Sequence, residues 1–185
     1  GSIDPDEQVG SVNIDYTKAT KEAVSLLAKN GHEKIAFVSG ALIDAINGQN
    51  RLNGYKEGLK ENNLEYNEGM IFEAPYEFKE GLALVDRILN SGATAAYITD
   101  DELAIGVLDG LYDAGVKVPE DFEIITSNNT LLTDVTRPRL SSVTQPLYDI
   151  GAVATRLLTK LMNKEEIEQK TIVLPSSIME KGSTK

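Results

Sequence analysis

Short apolar runs alternate along this chain with longer segments in which apolar residues recur every three or four positions. The clearest runs cover residues 35–38, 95–99 and 122–125, and shorter ones cover residues 12–14, 70–72 and 171–174. Continuous apolar runs bounded by turn residues are typical of strands that are buried on both faces of a parallel sheet. The amphipathic segments cover about residues 17–29, 47–62, 78–89 and 102–114, and their spacing predicts helices.

This alternation predicts right-handed βαβ units and therefore an α/β fold with a doubly wound parallel sheet. Ligands of such sheets bind at the carboxyl ends of the strands. The residues that follow the predicted strands are polar and chemically mild, and Arg51 is the one basic residue among them. We therefore expect any ligand site at this edge of the sheet.

Residues 140–161 combine a β-type run, a proline turn and a helix with two different stripes. The apolar stripe consists of Ile150, Val153, Ala154, Leu157, Leu158 and Leu161. Its helical spacing predicts a face that packs against another element. Tyr148, Ala152, Arg156 and Lys160 recur at every fourth position on roughly the opposite side, and we call them the basic stripe. The two cations fit either a solvated surface or the binding of a phosphate or carboxylate group.

The overall charge makes the basic stripe a local exception. The chain of 185 residues has a formal net charge of −11, which disfavours contact of this polypeptide with a nucleic-acid backbone. It contains no cysteine, no apolar run long enough to span a membrane and no signal peptide pattern, so we expect a cytoplasmic location and no contact with membranes. The chain begins with Gly-Ser, and we expect it to be part of a longer polypeptide.

Residues for catalysis are scarce. The single histidine, His32, lies at a helix-to-strand turn opposite the expected site, so we expect a structural role for it. No glycine-rich nucleotide motif occurs, and we predict neither an enzyme nor a bound cofactor or metal. The cluster Asp100, Asp101 and Glu102 fits the cap of the following helix better than a Mg²⁺ site. For Asp15, a ligand contact and simple turn formation both stay open.

Several motifs resemble the effector-binding core of the lac repressor family. They are GHxxIAFVSG at residues 31–40, RLxGY at 51–55, TDDELAIG at 99–106, VPxD at 118–121 and RPxLSSV at 137–143. The segments QPLYDIGAVA at 145–154 and RLLTK at 156–160, and the ending STK, resemble one member of that family in particular.

The resemblance implies a periplasmic-binding-protein-like core of two subdomains and a homodimer. Residues 1–12 would be a remnant of the N-terminal subdomain, residues 13–144 the C-terminal subdomain, residues 145–176 a helix and strand of the N-terminal subdomain, and residues 177–185 a C-terminal segment. A DNA-binding headpiece and most of the N-terminal subdomain would lie outside this chain.

For that member of the family, the resemblance also implies a partner, the phosphocarrier protein HPr phosphorylated on a serine. The residues implied in partner binding are Tyr148, Asp149, Arg156, Lys160 and Lys181. The resemblance further implies small phosphosugars as effectors, in a cleft that we assign to Asp15, Ser39, Arg51, Tyr97, Asp101 and Asn128. Two positions depart from the family pattern: Thr126-Ser127-Asn128 replaces Gly-Phe-Asp, and Lys181 replaces an arginine.

Two functional hypotheses follow, a regulatory core that binds a phosphorylated protein and a receptor whose main ligand is a sugar or nucleoside. We also expect the apolar stripe to be covered by another copy of the chain or to dock abnormally.

Overall fold

The computed structural model describes residues 10–42, 48–167 and 169–185 of the chain. They divide into two compact units, with boundaries after Asp15, Thr144 and Ser176. The predicted segments 1–12, 47–62 and 145–176 each include positions outside the described residues.

The larger unit contains most of the predicted βα alternation. Its elements are α1 (Tyr16–Lys29), β2 (Ile35–Ser39), α2 (Asn50–Glu61), a 3₁₀ turn (Glu68–Met70), β3 (Ile71–Glu73), α3 (Phe78–Asn90), β4 (Ala95–Ile98), α4 (Asp101–Asp113), β5 (Glu123–Ser127), α5 (Leu132–Val135), β6 (Ser141–Thr144) and β8 (Ser177–Met179). The smaller unit contains β1 (Ser11–Ile14), α6 (Leu147–Met162) and β7 (Thr171–Leu174).

In the described part of the larger unit, six strands form one sheet in the order β3-β2-β4-β5-β6-β8. The first five are parallel to their neighbours, and β8 is antiparallel to β6. The predicted doubly wound parallel sheet is therefore confirmed. The strand β8 was not predicted, because its Ser-Ile-Met sequence is too short and too polar to stand out as an apolar run.

Side chains alternate between the two faces of the central strands, as the period of a β-strand requires. Ala36, Val38 and Ile98 join the core formed with α3 and α4. Phe37 and Tyr97 point to the other face, where the Phe37 ring lies 5.2 Å from that of Tyr55 in α2. Both faces are buried, which explains the continuous apolar runs at residues 35–38 and 95–98.

Helices α3 and α4 approach each other closely through two glycines. A Cβ atom on Gly81 would collide with the carbonyl oxygen of Leu103, and one on Gly106 would collide with that of Phe78. The missing side chains therefore set the spacing of this helix pair.

The smaller unit pairs β1 with β7 in parallel, with Ser11 opposite Thr171 and Ile14 opposite Leu174. Helix α6 contacts β1 through Leu157, whose side chain packs on Gly10. Within the described residues, Leu157 is the one buried side chain of α6, whereas Leu158 is more than half exposed and Met162 is 75% exposed. The apolar stripe predicted from the sequence is therefore mostly uncovered in this chain, and its cover by another copy stays a prediction.

Candidate binding sites

Arg51 lies at the carboxyl edge of the large sheet and is 3% exposed. Its Nη1 donates to the carbonyl oxygen of Thr99 at 3.2 Å, and its Nη2 donates to Ser127 Oγ at 3.3 Å. The guanidinium carbon lies 4.7 Å from the centre of the Tyr16 ring. The side chain thus bridges the ends of β4 and β5, next to an aromatic face.

The surroundings of Arg51 leave part of its binding capacity unused. Its buried Nε has no hydrogen-bond partner among the described residues. A buried donor of a charged group that lacks a hydrogen-bond partner is costly. An anionic or strongly polar ligand would reduce that cost.

Several hydroxyl groups lie at the same carboxyl edge of the large sheet. Thr99 Oγ1 lies 3.2 Å from Ser39 Oγ and 3.3 Å from Tyr76 Oη, so it can donate to one and accept from the other. Ser39 is therefore placed beside Thr99, which binds Arg51, and its assignment to the effector cleft stays a prediction. Burial raises the pKa of Tyr16, and the nearby Arg51 opposes this rise. The ring of Tyr16 is thus a neutral partner of the cation.

Tyr97 and Asp101 are buried in bonds that hold the fold. Tyr97 Oη accepts from Thr20 Oγ1 at 3.2 Å beneath α1. Asp101 accepts from Thr126 Oγ1 at 2.9 Å and from the backbone N–H of Thr130 at 2.7 Å. Both oxygens of Asp101 are therefore already engaged, and their assignment to effector contact stays a prediction.

The neighbouring Asp100 caps α4, as the sequence predicted for this cluster. Its Oδ1 accepts from the backbone N–H groups of Glu102 and Leu103 at 2.9 and 3.2 Å. Such a cap satisfies N–H groups that have no partner inside the helix. The described residues contain no group of three or more His, Asp or Glu side chains placed to hold a metal.

Asn128 follows β5 with a backbone φ of +90°, and Asn129 follows with a φ of +51°. Asparagine tolerates this left-handed region better than most residues. The fold therefore places Asn128 at the same sheet edge as Arg51, while Asp15 is exposed and belongs to the smaller unit.

The basic stripe of α6 is exposed. Arg156 and Lys160 line a groove of about 440 Å³ together with Val153, Leu157, Glu166, Ile167, Gln169 and Ile172. Neither cation forms an ion pair within the described residues. Tyr148 is 88% exposed, and Asp149 is also exposed in the first turn.

The sequence analysis placed the basic stripe on roughly the opposite side of α6 from the apolar stripe. In the structure the two stripes are not fully opposite. Successive fourth positions advance by about 40° around a helix, so a stripe of four residues turns diagonally. Its last members, Arg156 and Lys160, consequently border the same groove as Val153 and Leu157. This groove therefore combines two cations with an apolar wall.

Lys181 occupies a different environment from the other residues assigned to the partner. Its side chain is 9% exposed, and its Nζ donates to Asn129 Oδ1, Thr133 Oγ1 and Asp134 Oδ1 at 2.9, 2.8 and 3.0 Å. An ammonium group has three protons, and these acceptors use all of them. The geometry supports a structural role, and a contact with HPr stays a prediction.

His32 lies at the amino edge of the large sheet, away from the carboxyl ends of the strands. Its Nδ1 is 2.8 Å from Thr94 Oγ1, and its Nε2 is 3.4 Å from Glu123 Oε1. These contacts join the turn after α1 to the starts of β4 and β5. They agree with the structural role expected for this histidine.

Sequence reasoning missed the loop that Lys181 holds. The hydroxyls of Thr133 and Ser142 and the backbone of Asn129 take part in its hydrogen bonds. A run of Asn and Thr after a strand indicates a turn, but it does not show which distant side chain will bind it.

A family model described as "periplasmic binding protein-like domain" matches residues 24–184. The catabolite control protein A of Streptococcus mutans serotype c is 60% identical over 185 residues, which cover 100% of this chain and 55% of that protein. The chain thus spans about half the length of the curated relatives it matches. Among the described residues, every helix is too short or too polar to cross a bilayer.

Solved structures agree with the sequence matches. The transcription regulator CcpA of Lactococcus lactis has a TM-score of 0.95 and 49% identity, covering 100% of this chain and 68% of that chain. The transcriptional regulator CelR in complex with cellobiose has a TM-score of 0.90 and 29% identity, covering 97% of this chain and 55% of that chain. These relatives are named as regulators, in agreement with the prediction that the chain is not an enzyme. The chain belongs to the periplasmic binding protein-like domain family, within the lac repressor family of transcription regulators, and is similar to catabolite control protein A.

Proposed function

We propose that this chain is the regulatory core of a transcription regulator that binds serine-phosphorylated HPr through the basic stripe of α6. The observation that carries the proposal is the exposed pair Arg156 and Lys160 on the rim of the α6 groove. Its relatives include catabolite control protein A, for which the sequence resemblance implies this partner.

The groove has the chemistry that a phosphorylated helix or loop requires. Arginine offers a planar fork that can donate two hydrogen bonds to one phosphate, and lysine adds a point charge. Val153, Leu157 and Ile172 supply an apolar wall for side chains next to the phosphoserine. Glu166 lines the same groove and would disfavour other anions that lack a complementary apolar part.

The decisive experiment is a calorimetric titration of this chain, and of a longer protein that contains it, with phosphorylated and unphosphorylated HPr. We expect the phosphorylated form to bind at least tenfold more tightly, since a hydrogen bond to a charged group contributes about 1.5 to 3 kcal/mol. Arg156→Ala and Lys160→Ala should each remove most of this difference.

Lys29→Ala is the matched control, because Lys29 is an exposed lysine on α1 of the larger unit. It changes the net charge as Lys160→Ala does and should leave the affinity for phosphorylated HPr unchanged. Equal affinity of the longer protein for both forms of HPr would contradict the proposal, as would an Arg156→Ala variant with unaltered affinity.

A second function is supported by the unpaired Nε of Arg51. In this alternative, the main ligand is a small sugar or phosphosugar at the carboxyl edge of the large sheet, and the basic stripe is incidental. A solved relative carries cellobiose. Saturable binding of a hexose phosphate that is lost in Arg51→Met, with no preference for phosphorylated HPr, would favour this alternative.

We further propose that the chain forms a homodimer and reaches DNA only through a headpiece supplied by the longer protein. The candidate surface is the α4–α5 face, which we define by Tyr112, Leu131, Leu132 and Val135. Tyr112 is 79% exposed, and the three other side chains are also exposed. A groove of about 370 Å³ beside Tyr112 is lined by Leu108, Val116, Val118 and Pro138, among others. Exposed apolar clusters of this kind mark interaction sites.

The smaller unit fits the predicted returning part of the N-terminal subdomain, and the larger unit fits the C-terminal subdomain. We propose a cytoplasmic location, which a regulator of transcription requires.

A further inference from the structure

Lys181 is a buried cation, and the proposed contact with HPr does not explain its position. It comes from the segment after β8, yet its three acceptors belong to residues that are 47 to 52 positions away in the sequence. Burying an ammonium group is expensive, and a residue of similar length without charge would fill the space at lower cost. The charge must therefore provide something that packing does not.

The segment that Lys181 binds has little hydrophobic support of its own. Helix α5 is four residues long, and Thr133 is its buried residue within the described part of the chain. Leu131, Leu132 and Val135 all point to solvent. A helix this short is not stable by itself, so its position depends on the bonds that hold it.

Four groups supply those bonds, and one of them is the backbone N–H of Leu140, which donates to the carbonyl oxygen of Thr133 at 3.0 Å. Asp101 accepts from the backbone of Thr130 at 2.7 Å, and Ser142 Oγ accepts from the backbone of Asn129 at 3.0 Å. Both hydrogen bonds hold residues that precede α5 in the chain. Lys181 reaches across the segment, since it binds Asn129 at the start and Thr133 and Asp134 inside the helix.

We propose that Lys181 is a positioning residue that fixes α5 and thereby holds the apolar side chains of the α4–α5 face in place for self-association. The ammonium joins the turn at Asn129 to α5, so that Leu131, Leu132 and Val135 keep a fixed orientation. The part that concerns self-association rests on the proposed homodimer, whereas the positioning of α5 does not.

The test compares hydrogen exchange of the full chain in three forms: wild type, Lys181→Met and Lys185→Met. Methionine keeps the length of the side chain and removes the charge. Lys185 lies in the same C-terminal segment, but its Nζ binds the carbonyl oxygen of Glu120 at 3.1 Å and does not reach α5. We expect amides of residues 130–136 to exchange about tenfold faster or more in Lys181→Met, and to be unchanged in Lys185→Met.

Amides of β4 and β5 decide whether the effect is local. If they exchange faster to the same extent as α5 in Lys181→Met, the lysine stabilises the whole unit and the proposal is overturned. Unaltered exchange of residues 130–136 overturns it as well. Thr133→Val provides a second variant that leaves the lysine in place. Its effect on α5 should add only in part to that of Lys181→Met, because both variants remove the bond from Lys181 Nζ to Thr133 Oγ1 and each also removes bonds of its own.

Sedimentation equilibrium then tests the consequence for assembly. We expect the dimer of Lys181→Met to have a dissociation constant about tenfold higher than that of the wild type. The dissociation constant of Lys185→Met should match that of the wild type. A wild-type chain that stays monomeric would refute the proposed homodimer, while the exchange data would still decide the role of Lys181. A dimer that is equally tight in Lys181→Met with a loosened α5 would refute the link to assembly.

Discussion

Burial decides what the charged residues of this chain can do. Arg51, Asp101 and Lys181 are all enclosed, but their surroundings differ. Arg51 keeps an unused donor, whereas the polar atoms of the other two are fully engaged. The sequence indicated that Arg51 and Asp101 follow strands, but it contained no signal for the number of acceptors that each would meet.

Asp101 should make stability depend on pH in a defined direction. Burial raises its pKa above the ordinary value, and the hydrogen bonds from Thr130 and Thr126 oppose the rise. The folded state therefore disfavours the ionised carboxylate, and this cost is present in full above the folded-state pKa and disappears below the unfolded-state pKa. Asp101→Asn carries no charge at any pH, and its amide can donate to Thr126 while its oxygen accepts from Thr130.

We expect the free energy of unfolding of Asp101→Asn, relative to the wild type, to be more favourable at about pH 7 than at about pH 4. Urea unfolding at several pH values measures the difference. Asp113→Asn, at an exposed position near the end of α4, corrects for the change in net charge. A difference between Asp101→Asn and the wild type that does not vary with pH, or that grows on acidification, would contradict this account.

At the scale of the elements, spacing and turn residues were sufficient for the longer helices and for the five parallel strands of the large sheet. The helices α1, α3 and α4 lie within a residue or two of their predicted bounds. The elements missed were α5 and β8, which are short and lack a periodic apolar pattern. Both depend on distant contacts: α5 on Lys181, and β8 on pairing with β6. The residues of a short segment do not show which distant residues will contact it, so these two elements could not be predicted from sequence patterns.

Two glycines on different helices should respond in opposite ways to alanine. Gly106→Ala should destabilise the protein by about 1 to 3 kcal/mol, because the new methyl group would force α4 away from Phe78. Gly151→Ala in α6 should stabilise it by about 0.5 to 1 kcal/mol, since a Cβ there meets open space and glycine is a poor helix former. Urea unfolding followed by circular dichroism compares the two. Equal effects would show that helix propensity, and not the close approach of α3 and α4, controls Gly106.

For the whole molecule, the distribution of exposed apolar area matters more than the net charge. The smaller unit exposes Leu158, Met162 and Val173, and the larger unit exposes the α4–α5 face. The sequence shows the apolar stripe of α6, but no pattern within the chain shows what covers it. The cover has to come from another copy or from a region that the longer relatives possess.

The isolated chain should therefore bind an apolar dye and associate beyond a dimer. Leu158→Lys combined with Met162→Lys should lower dye fluorescence and abolish the larger species, because it removes the exposed part of the α6 stripe. Tyr112→Lys on the α4–α5 face is the control and should affect the dimer alone. Sedimentation velocity separates the species, and larger assemblies that persist in the double variant would count against this role of α6.

The pairing of β1 with β7 also has a kinetic consequence. Ser11 Oγ donates to Thr171 Oγ1 although the two residues are 160 positions apart, and the entire larger unit except its C-terminal segment lies between them. Closing so long a loop in an unfolded chain costs entropy and slows folding. Folding of the larger unit shortens this loop, because α1 follows β1 in the chain, β6 precedes α6, and α1 contacts β6. We therefore expect the smaller unit to assemble last and to open first.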